Sequence, residues 1–391
     1  MSDLQPDKNT SVFPHGHIDR SNWKRVRLGD LVARQTISMG RGNVISKEAI
    51  ESDPGAYPVF SSSATGDGII GYYARYMFDD ERISWSIDGG GRFFYHPASR
   101  YSVTNVSGWI KVHKPAEINT RYLYLALDAE WQKKHFDYQT KAHPSVIKNE
   151  YIIAYPDFDT QNKIAAVITS CDDYITTIQS LIAKYEAIKK ATVNLLLRLS
   201  GDCPSVRLGD VAKIFRGGSP RPIQNYITEE STGINWIKIG DVATDAKYIK
   251  HTAEKIKPTG VQMSRQVKAG DFILSNSMSF GRPYILKIDG CIHDGWLAIQ
   301  DYQETFDVDY LYYLLGSDFV LAQYQTNAAG SSVKNLNKEI VSNIILPQTP
   351  IPEQHMIANQ IATIDNALND CRAQLAKAQN LKNGLMSYFF G

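Results

Sequence analysis

Cysteine is scarce in this chain: four residues, Cys171, Cys203, Cys291 and Cys371, in a sequence of 391. They form no CxxC pair and no Cys/His ligand spacing, which excludes a zinc ribbon or a disulfide framework and points to reduced thiols in a cytoplasmic protein. The His15-Gly16-His17 pair has no further ligands around it, so no metal site is expected. No signal peptide is recognisable, and no apolar run reaches the ~20 residues needed to cross a bilayer, so no membrane partner is expected. Catalytic signatures are missing too. There is no GxxxxGK[ST] phosphate loop, no HExxH, no GxSxG, and no Asn-Pro-Pro-aromatic stretch of an amino-group methyltransferase. Asp88-Gly89-Gly90-Gly91-Arg92 lacks the strand–GxGxxG–helix setting and reads as a turn. The acidic pairs Asp79-Asp80 and Asp172-Asp173 read as solvated charge. What remains is a binding protein without catalytic residues.

Net charge is only +1, so nothing global signals nucleic acid, although a basic face offset elsewhere is compatible with that value. Hydrophobic content of 43% and charged content of 21% describe a soluble folded chain, long enough for two domains. Tyrosine is abundant, at 22 residues. Its flat apolar face and polar tip suit a polar ligand, and it equally suits the filling of β-rich domains.

The chain repeats itself. Val26-Arg27-Leu28-Gly29-Asp30 recurs as Val206-Arg207-Leu208-Gly209-Asp210, an offset of 180. Gly91-Arg92 is answered by Gly281-Arg282, Ser107-Gly108-Trp109 by Asp294-Gly295-Trp296, and Tyr122-Leu123-Tyr124 by Tyr310-Leu311-Tyr312. Each unit reads as short strands separated by Gly, Asp and Ser clusters, then a helix. In the first unit these are strands near Tyr57–Ser61, Gly68–Tyr73, Arg82–Ile87, Arg92–Tyr95 and Gly108–Val112, a helix over Thr120–Phe136, a loop over Thr140–Val146 and a strand near Tyr151–Tyr155.

After each unit comes a long helical pattern, Gln161–Leu199 and Glu353–Phe389. The first carries Ile164, Ile168, Cys171, Ile175, Ile178, Ile182 and Tyr185 in alternating steps of four and three, then Leu196 and Leu199, the seam of a coiled coil. The second carries Ile357, Ile361, Ile364, Leu368, Cys371, Leu375, Ala378 and Leu385 in the same way, and Gln161, Ile164, Ala165, Ile168 and Asp172 match Gln354, Ile357, Ala358, Ile361 and Asp365 at an offset of 193. About 40 residues at ~1.5 Å each make a rod near 60 Å. Two such rods paired antiparallel bury one seam and become a ruler, spanning roughly 17–18 base pairs if the ligand is B-DNA. A duplicated scaffold binding two copies of some other partner fits the same pattern. Leu181, Ile188 and Leu195 lie off the seam and are candidates for either rod pairing or partner docking.

Binding candidates are loop residues rich in Gly, Ser and Arg at matching places. In the second unit they are Arg216, Ser219, Arg221, Lys238, Ser275, Asn276, Arg282 and Lys334; in the first, Arg41, Asn43, Ser62, Arg92, Lys141 and His143. Arg pairs bidentately with guanine or phosphate, and glycine allows close approach to a sugar–phosphate chain. Each also reads as a capped turn or a surface charge.

Val206–Ala212 followed by Gly217-Gly218-Ser219-Pro220 and Ile234–Val242, then Ser331–Leu336, Ile344–Pro347 and Pro352-Glu353-Gln354, resembles the specificity subunit of type I restriction–modification enzymes. The resemblance runs from about Trp23 to the C-terminus; the first copy departs where Asp157–Gln161 replaces the Pro-rich approach to the helix. It implies an α+β chain with an internal pseudo-two-fold repeat: an arm over residues 1–21, target-recognition domains over 22–156 and 201–347, and helical spacers over 157–200 and 348–391. Each domain would read half of a bipartite site in double-stranded DNA. The spacers, through Ile164, Ile168, Ile175, Ile178, Leu181, Ile182, Ile188, Leu195, Ile357, Ile361, Ile364, Leu368, Leu375 and Leu385, would set the gap and dock two methyltransferase subunits. Two restriction subunits would complete the complex. Cofactors, namely S-adenosylmethionine, ATP and Mg2+, would sit on those partners and none on this chain. The recognition subunit of a type IIB-like enzyme is the alternative within the same chemistry.

Overall fold

The structure is a computed structural model that describes residues 20–62, 66–134, 142–199, 204–242, 246–276, 281–328 and 336–391. The expected arm, apart from residues 20 and 21, lies outside them, as do Lys141, Lys334 and Cys203. The elements in the first half are β1 (Lys24–Arg27), α1 (Leu28–Ala33), β2 (Ile37–Arg41), α2 (Lys47–Ser52), β3 (Pro54–Phe60), β4 (Ile69–Tyr73), β5 (Arg82–Ser86), β6 (Phe93–His96), β7 (Ser102–Val103), β8 (Ser107–Val112), α3 (Thr120–Gln132), α4 (Pro144–Glu150), β9 (Ile152–Tyr155) and α5 (Phe158–Leu199). The second half holds β10 (Ser205–Arg207), α6 (Leu208–Val211), β11 (Lys213–Arg216), β12 (Ile227–Thr228), β13 (Ile234–Ile237), β14 (Tyr248–Ile249), β15 (Glu254–Ile256), β16 (Arg265–Val267), β17 (Phe272–Ser275), β18 (Pro283–Leu286), β19 (Gly290–Ile292), β20 (Trp296–Gln300), α7 (Val308–Leu315), α8 (Asp318–Ala328), α9 (Lys338–Ser342), β21 (Ile345–Pro347) and α10 (Ile351–Phe390). The chain divides into two compact units, Met1–Gln179 with Gln374–Gly391, and Ser180–Ala373, so that both long helices are shared out between them.

In the first unit, β2-β8-β5-β6 form an antiparallel sheet and β4-β3-β7 a second, mixed one. The repeated Val-Arg-Leu-Gly-Asp start closes the unit on itself. Its strand β1 pairs antiparallel with β9, the strand that runs into the long helix, and Leu28 N–H donates to Tyr151 O at 2.9 Å. Trp85, Phe93, Ile110, Leu123 and Leu127 build the core, which Ile164 and Ile168 of α5 and Phe389 of α10 complete. Full burial of each such side chain contributes about 1.5–3 kcal/mol. One stretch departs from expectation. In place of a loop through Val146, α4 begins at Pro144, with the ring of His143 accepting from Ser145 N at its start. Proline at a first helical position loses no hydrogen bond, so it opens this helix instead of preventing it. The helix expected to run to Phe136 ends at Gln132.

The second unit repeats this plan with more strands. β11-β20-β17-β18-β14 is the counterpart of the first sheet, and the second sheet, β12-β15-β13-β19-β16, has grown to five strands. β10 pairs with β21, and Leu208 N–H donates to Ile344 O at 2.9 Å, as in the first unit. Phe272, Leu297, Tyr310, Leu311 and Leu314 form the core, joined by Val193 of α5 and Ile361 of α10.

Within each unit the two long helices run antiparallel. Asp172 meets Lys382 at 2.6 Å and Tyr174 meets Gln374 in the first; Glu186 meets Arg372 at 2.9 Å and Lys189 meets Asp365 at 2.5 Å in the second. Where the Pro-rich approach is absent, Asp157 caps α5 by accepting from Thr160 N at 2.9 Å, a side-chain route to the same end. Ile178, Leu368 and Cys371 are buried on the seam, whereas Leu181, Ile188 and Leu195 are exposed by 39%, 41% and 58%. Those three therefore do not pair the rods. Asp172 is engaged as well: it holds Arg121 and Lys382, so it is a packing partner and not a solvated charge. Asp80 likewise holds Arg82 and Lys111.

Candidate nucleic-acid interface

In each unit, one turn just before the last strand of the first sheet gathers several of the candidate loop residues. In the second unit it is His293-Asp294-Gly295. Ser219 Oγ donates to Asp294 Oδ1 at 2.9 Å, His293 Nε2 meets the same oxygen at 2.8 Å, and Arg221 reaches Oδ2 at 3.4 Å. His293 Nδ1 accepts from Gly295 N at 2.9 Å, which leaves Nε2 to carry the proton toward Asp294. Burial pushes the Asp294 carboxyl up, but Ser219, His293, its own backbone N–H and Arg221 together outweigh it and hold the group below the usual carboxylate range. Asn276 Nδ2 donates to Asp294 O at 3.2 Å, bracing the turn from behind.

Ser219, Arg221, His293 and Asp294 line a concavity of about 470 Å³ with Trp236, Lys238 and Glu254. Lys238 Nζ sits 2.6 Å from Glu254, and its own N–H donates to Asp241 Oδ2 at 2.9 Å. The result is a set of donors and acceptors backed by the buried indole of Trp236, on a chain segment whose Arg221 side chain remains 81% exposed. That is suited to reading the edges of a polar planar ligand, with arginine offering a fork of donors. Arg216, at the end of β11, is exposed beside this concavity's loop.

In the first unit the hub is Thr104-Asn105-Val106-Ser107. Arg41 Nε donates to Asn105 O at 3.2 Å, Asn43 N–H to Val103 O at 3.1 Å, Gly42 N–H to Ser107 O at 3.0 Å, and Ser62 Oγ to Val106 O. Arg41 and Asn43 remain exposed. Arg41 and Asn43 share one stretch of sequence and Ser62 lies in another, and folding brings all three around one turn.

Other selected residues lie elsewhere. Ser275 is fully buried in β17 opposite Trp296, so it supports the sheet and does not face a ligand. Arg282 lines a second concavity, of about 560 Å³, with Lys189, Tyr312, Tyr313 and Asp365. Arg92 lies over Phe94 at 5.2 Å, and its charge acts on Tyr124, the counterpart of Tyr312. Both arginines follow a glycine with positive φ, Gly91 at 78° and Gly281 at 73°, and both glycine N–H groups donate back across the hairpin to Ser86 and Ser275. His143 serves α4. The glycines of the binding loops also have another reason than ligand approach. A Cβ on Gly42 would meet Val103 O at 2.1 Å, and one on Gly217 would meet His293 O at 2.0 Å, so both let the loop pack on its own hub.

Asp294, His293 and Trp236 are not singled out by the sequence. Asp294-Gly295-Trp296 is visible there only as a repeat landmark, and the available signal is that an acidic residue replaces Ser107 at the matching place. Among the described residues no group of three or more His, Cys, Asp or Glu side chains is placed to hold a metal, and no helix is long and apolar enough to cross a membrane.

The duplication coincides with two matches to one family, described as the type I restriction modification DNA specificity domain, over residues 20–188 and 201–378. The chain belongs to this family. Each unit therefore carries one specificity domain together with the start of its long helix. A similar protein is the putative type I specificity subunit S.MpnORF201P of Mycoplasma pneumoniae, 29% identical over 149 residues, which cover 36% of this chain and 61% of that one. The matched stretches span 61%, 51% and 52% of the length of three such Mycoplasma relatives. The MjaVIII specificity subunit of Methanocaldococcus jannaschii is 24% identical over 417 residues, covering 95% of this chain and 93% of that one. Among solved structures, the type I restriction–modification S subunit from M. genitalium aligns with a TM-score of 0.64 at 15% identity, over 99% of this chain and 98% of that one, a likeness of fold.

Proposed function

We propose that this chain is the DNA-recognition subunit of a type I restriction–modification complex. Each specificity domain reads one half of a bipartite double-stranded site, and the paired helices set the unspecified gap. What supports the reading most is that one hub recurs before β8 and before β20, each time with an exposed arginine hydrogen-bonded to it, Arg41 at the end of β2 and Arg221 in the loop after β11. The hubs differ in chemistry, with Asp294 where the first unit has Ser107. Two unlike readers on one scaffold suit an asymmetric target.

The chain brings recognition and no chemistry of its own. Methyltransferase subunits, two in number, would carry S-adenosylmethionine and dock on the long helices; two restriction subunits would carry ATP and Mg2+. The near-neutral charge fits this division, because phosphate neutralisation is then shared with partners. A docking face is available in the second unit: Leu181, Ile188 and Leu195 follow one another at heptad spacing on α5 and are exposed.

The test is co-expression with the cognate methyltransferase and sequencing of the methylated sites. A bipartite site is expected, and deleting one heptad of α5 shortens its gap while both half-sites stay the same. Altered half-sites with an unchanged gap would sink the ruler. No sequence-dependent shift of DNA at low salt would sink the reading itself and favour a protein-binding scaffold.

A further inference from the structure

Two buried glutamines, Gln161 of α5 and Gln354 of α10, stand 193 residues apart and are both fully inaccessible. Their side-chain amides make the same three bonds. Gln354 Nε2 donates to Thr349 O at 2.7 Å and to Thr305 O at 2.9 Å, while Oε1 accepts from Asp307 N at 2.7 Å. Gln161 Nε2 donates to Pro156 O at 3.0 Å and to Glu117 O at 3.4 Å, and Oε1 accepts from Asn119 N at 3.0 Å. Thr349 and Pro156 belong to the approach to each long helix. Asp307 and Asn119 are the N-caps of α7 and α3, the helices by which each recognition domain packs on its spacer.

A glutamine on a spacer helix is thus bonded to backbone on both sides of the joint. Backbone groups cannot rotate away as side chains can, so the contact fixes a direction as well as a distance. A second anchor lies 11 residues further along each spacer: Asp172 holds Arg121 of α3 at 2.5 Å, and Asp365 accepts from Tyr313 of α7 at 2.8 Å. Three helical turns, about 16 Å, separate the anchors. Both anchors meet the same domain helix, so a swing of that helix about either contact stretches the other. Helix packing by itself favours classes of crossing angle that scatter by about ±15–20° from one helix pair to another, so the polar anchors select one angle within a class.

We propose that Gln161 and Gln354 are positioning residues for DNA readout, each setting the angle at which a recognition domain leaves its spacer, and so the number of base pairs accepted between half-sites. The proposal rests on the function given above. The glutamines touch no base-reading loop, so they act on the gap and leave the half-sites alone. Other polar residues would fill the position, but only one with a donor and an acceptor on the same planar group satisfies both carbonyls and the N-cap N–H.

The experiment uses the full chain co-purified with its methyltransferase and a DNA pool in which both half-sites are constant and the gap varies. The wild-type complex is expected to methylate one gap length. Gln354→Met and Gln161→Met, close in volume but without the bonds, are expected to raise methylation of gaps one base pair longer or shorter at least tenfold relative to the native gap, with unchanged half-site bases. Gln354→Asn, whose amide falls one methylene short, serves where the methionine variant does not melt cooperatively. Folded variants with wild-type gap selectivity, or with changed half-sites, overturn the proposal while the recognition function stands. A wild-type complex indifferent to sequence overturns both.

Discussion

Lys189 of α5 reaches Asp365 of α10 at 2.5 Å, and the pair is repeated in the other unit by Lys382 and Asp172 at 2.6 Å, each residue 193 positions from its counterpart. The duplication has therefore preserved an ion pair between two helices and not merely a hydrophobic rhythm. In each copy the aspartate also receives the recognition domain, through Tyr313 in one unit and Arg121 in the other. One carboxylate ties three elements together.

Lys189 and Asp365 side chains are 31% and 23% exposed, so their attraction is only partly screened. A double-mutant cycle of Lys189→Ala and Asp365→Ala is expected to give a coupling of about 1 kcal/mol, shrinking in molar salt. Asp365→Ala alone is expected to cost about 1–3 kcal/mol, more than Lys189→Ala, because it also orphans the Tyr313 hydroxyl. Denaturant midpoints at low and high salt check both; a coupling near zero would reduce the pair to ornament.

Arg221 and Arg282 are equal candidates by sequence, and the structure separates them. Arg221 stands exposed over the Asp294 hub, while Arg282 lines a concavity with Lys189 and the two tyrosines of α7. Arg221→Ala is expected to weaken recognition of the second half-site by about 1–3 kcal/mol, roughly 5- to 150-fold, and to leave the first untouched. Arg282→Ala is expected to lower affinity without relaxing any base position. Methylation rates across single-base variants of each half-site distinguish the two, and relaxed specificity with Arg282→Ala would reverse the assignment.

Most strands of the first unit and both long helices are legible in the sequence because they rest on local signals: alternation in β5, the heptad seam of α5, and the proline opening of α10, whereas α4 is not, since its opening Pro144 reads equally as part of a loop. The repeat is legible because Val-Arg-Leu-Gly-Asp closes each unit in the same way, through one strand pair and a glycine packed closely on the neighbouring chain at Lys148 and Ser342. The hubs are not legible, since Arg41, Asn43 and Ser62 converge on Thr104–Ser107 only through contacts up to 64 residues apart in sequence. Ser275 misleads for the complementary reason. A serine in a Ser-Asn-Ser run reads as a turn, and its burial is decided by Trp296 on the neighbouring strand. Gln354 looks like part of a motif; its three backbone partners show what the motif does.

Leu181, Ile188 and Leu195 present one apolar line on α5, away from the seam. Because they are exposed, replacing all three by serine is expected to change the stability of the chain alone by no more than about 0.5 kcal/mol per site. The same variant is expected to lose co-purification with the methyltransferase, since a docked apolar stripe supplies area that serine does not. Size-exclusion of the co-expressed pair reads the outcome, and retention of the complex by the triple variant would move the docking face elsewhere.

His96 offers a test by pH that is independent of DNA. It is 4% exposed, stacked on Tyr101 with centroids 4.7 Å apart, and its Nε2 lies 2.7 Å from Ser84 Oγ. Burial pushes its pKa down from 6.5 to about 4, because the imidazolium would have to leave water for an aromatic pocket. Between those two values the unfolded chain binds a proton that the folded chain does not. Stability therefore rises with pH across this window and is lost as pH falls through it, by about 2 kcal/mol between pH 7 and pH 5. His96→Gln, which keeps a hydrogen-bonding partner for Ser84 without a titrating ring, is expected to be less stable at pH 7 and to show a flatter dependence between pH 7 and pH 5. Urea midpoints at both pH values measure the difference, and equal slopes for the two proteins would mean that acid acts on the first domain through other groups.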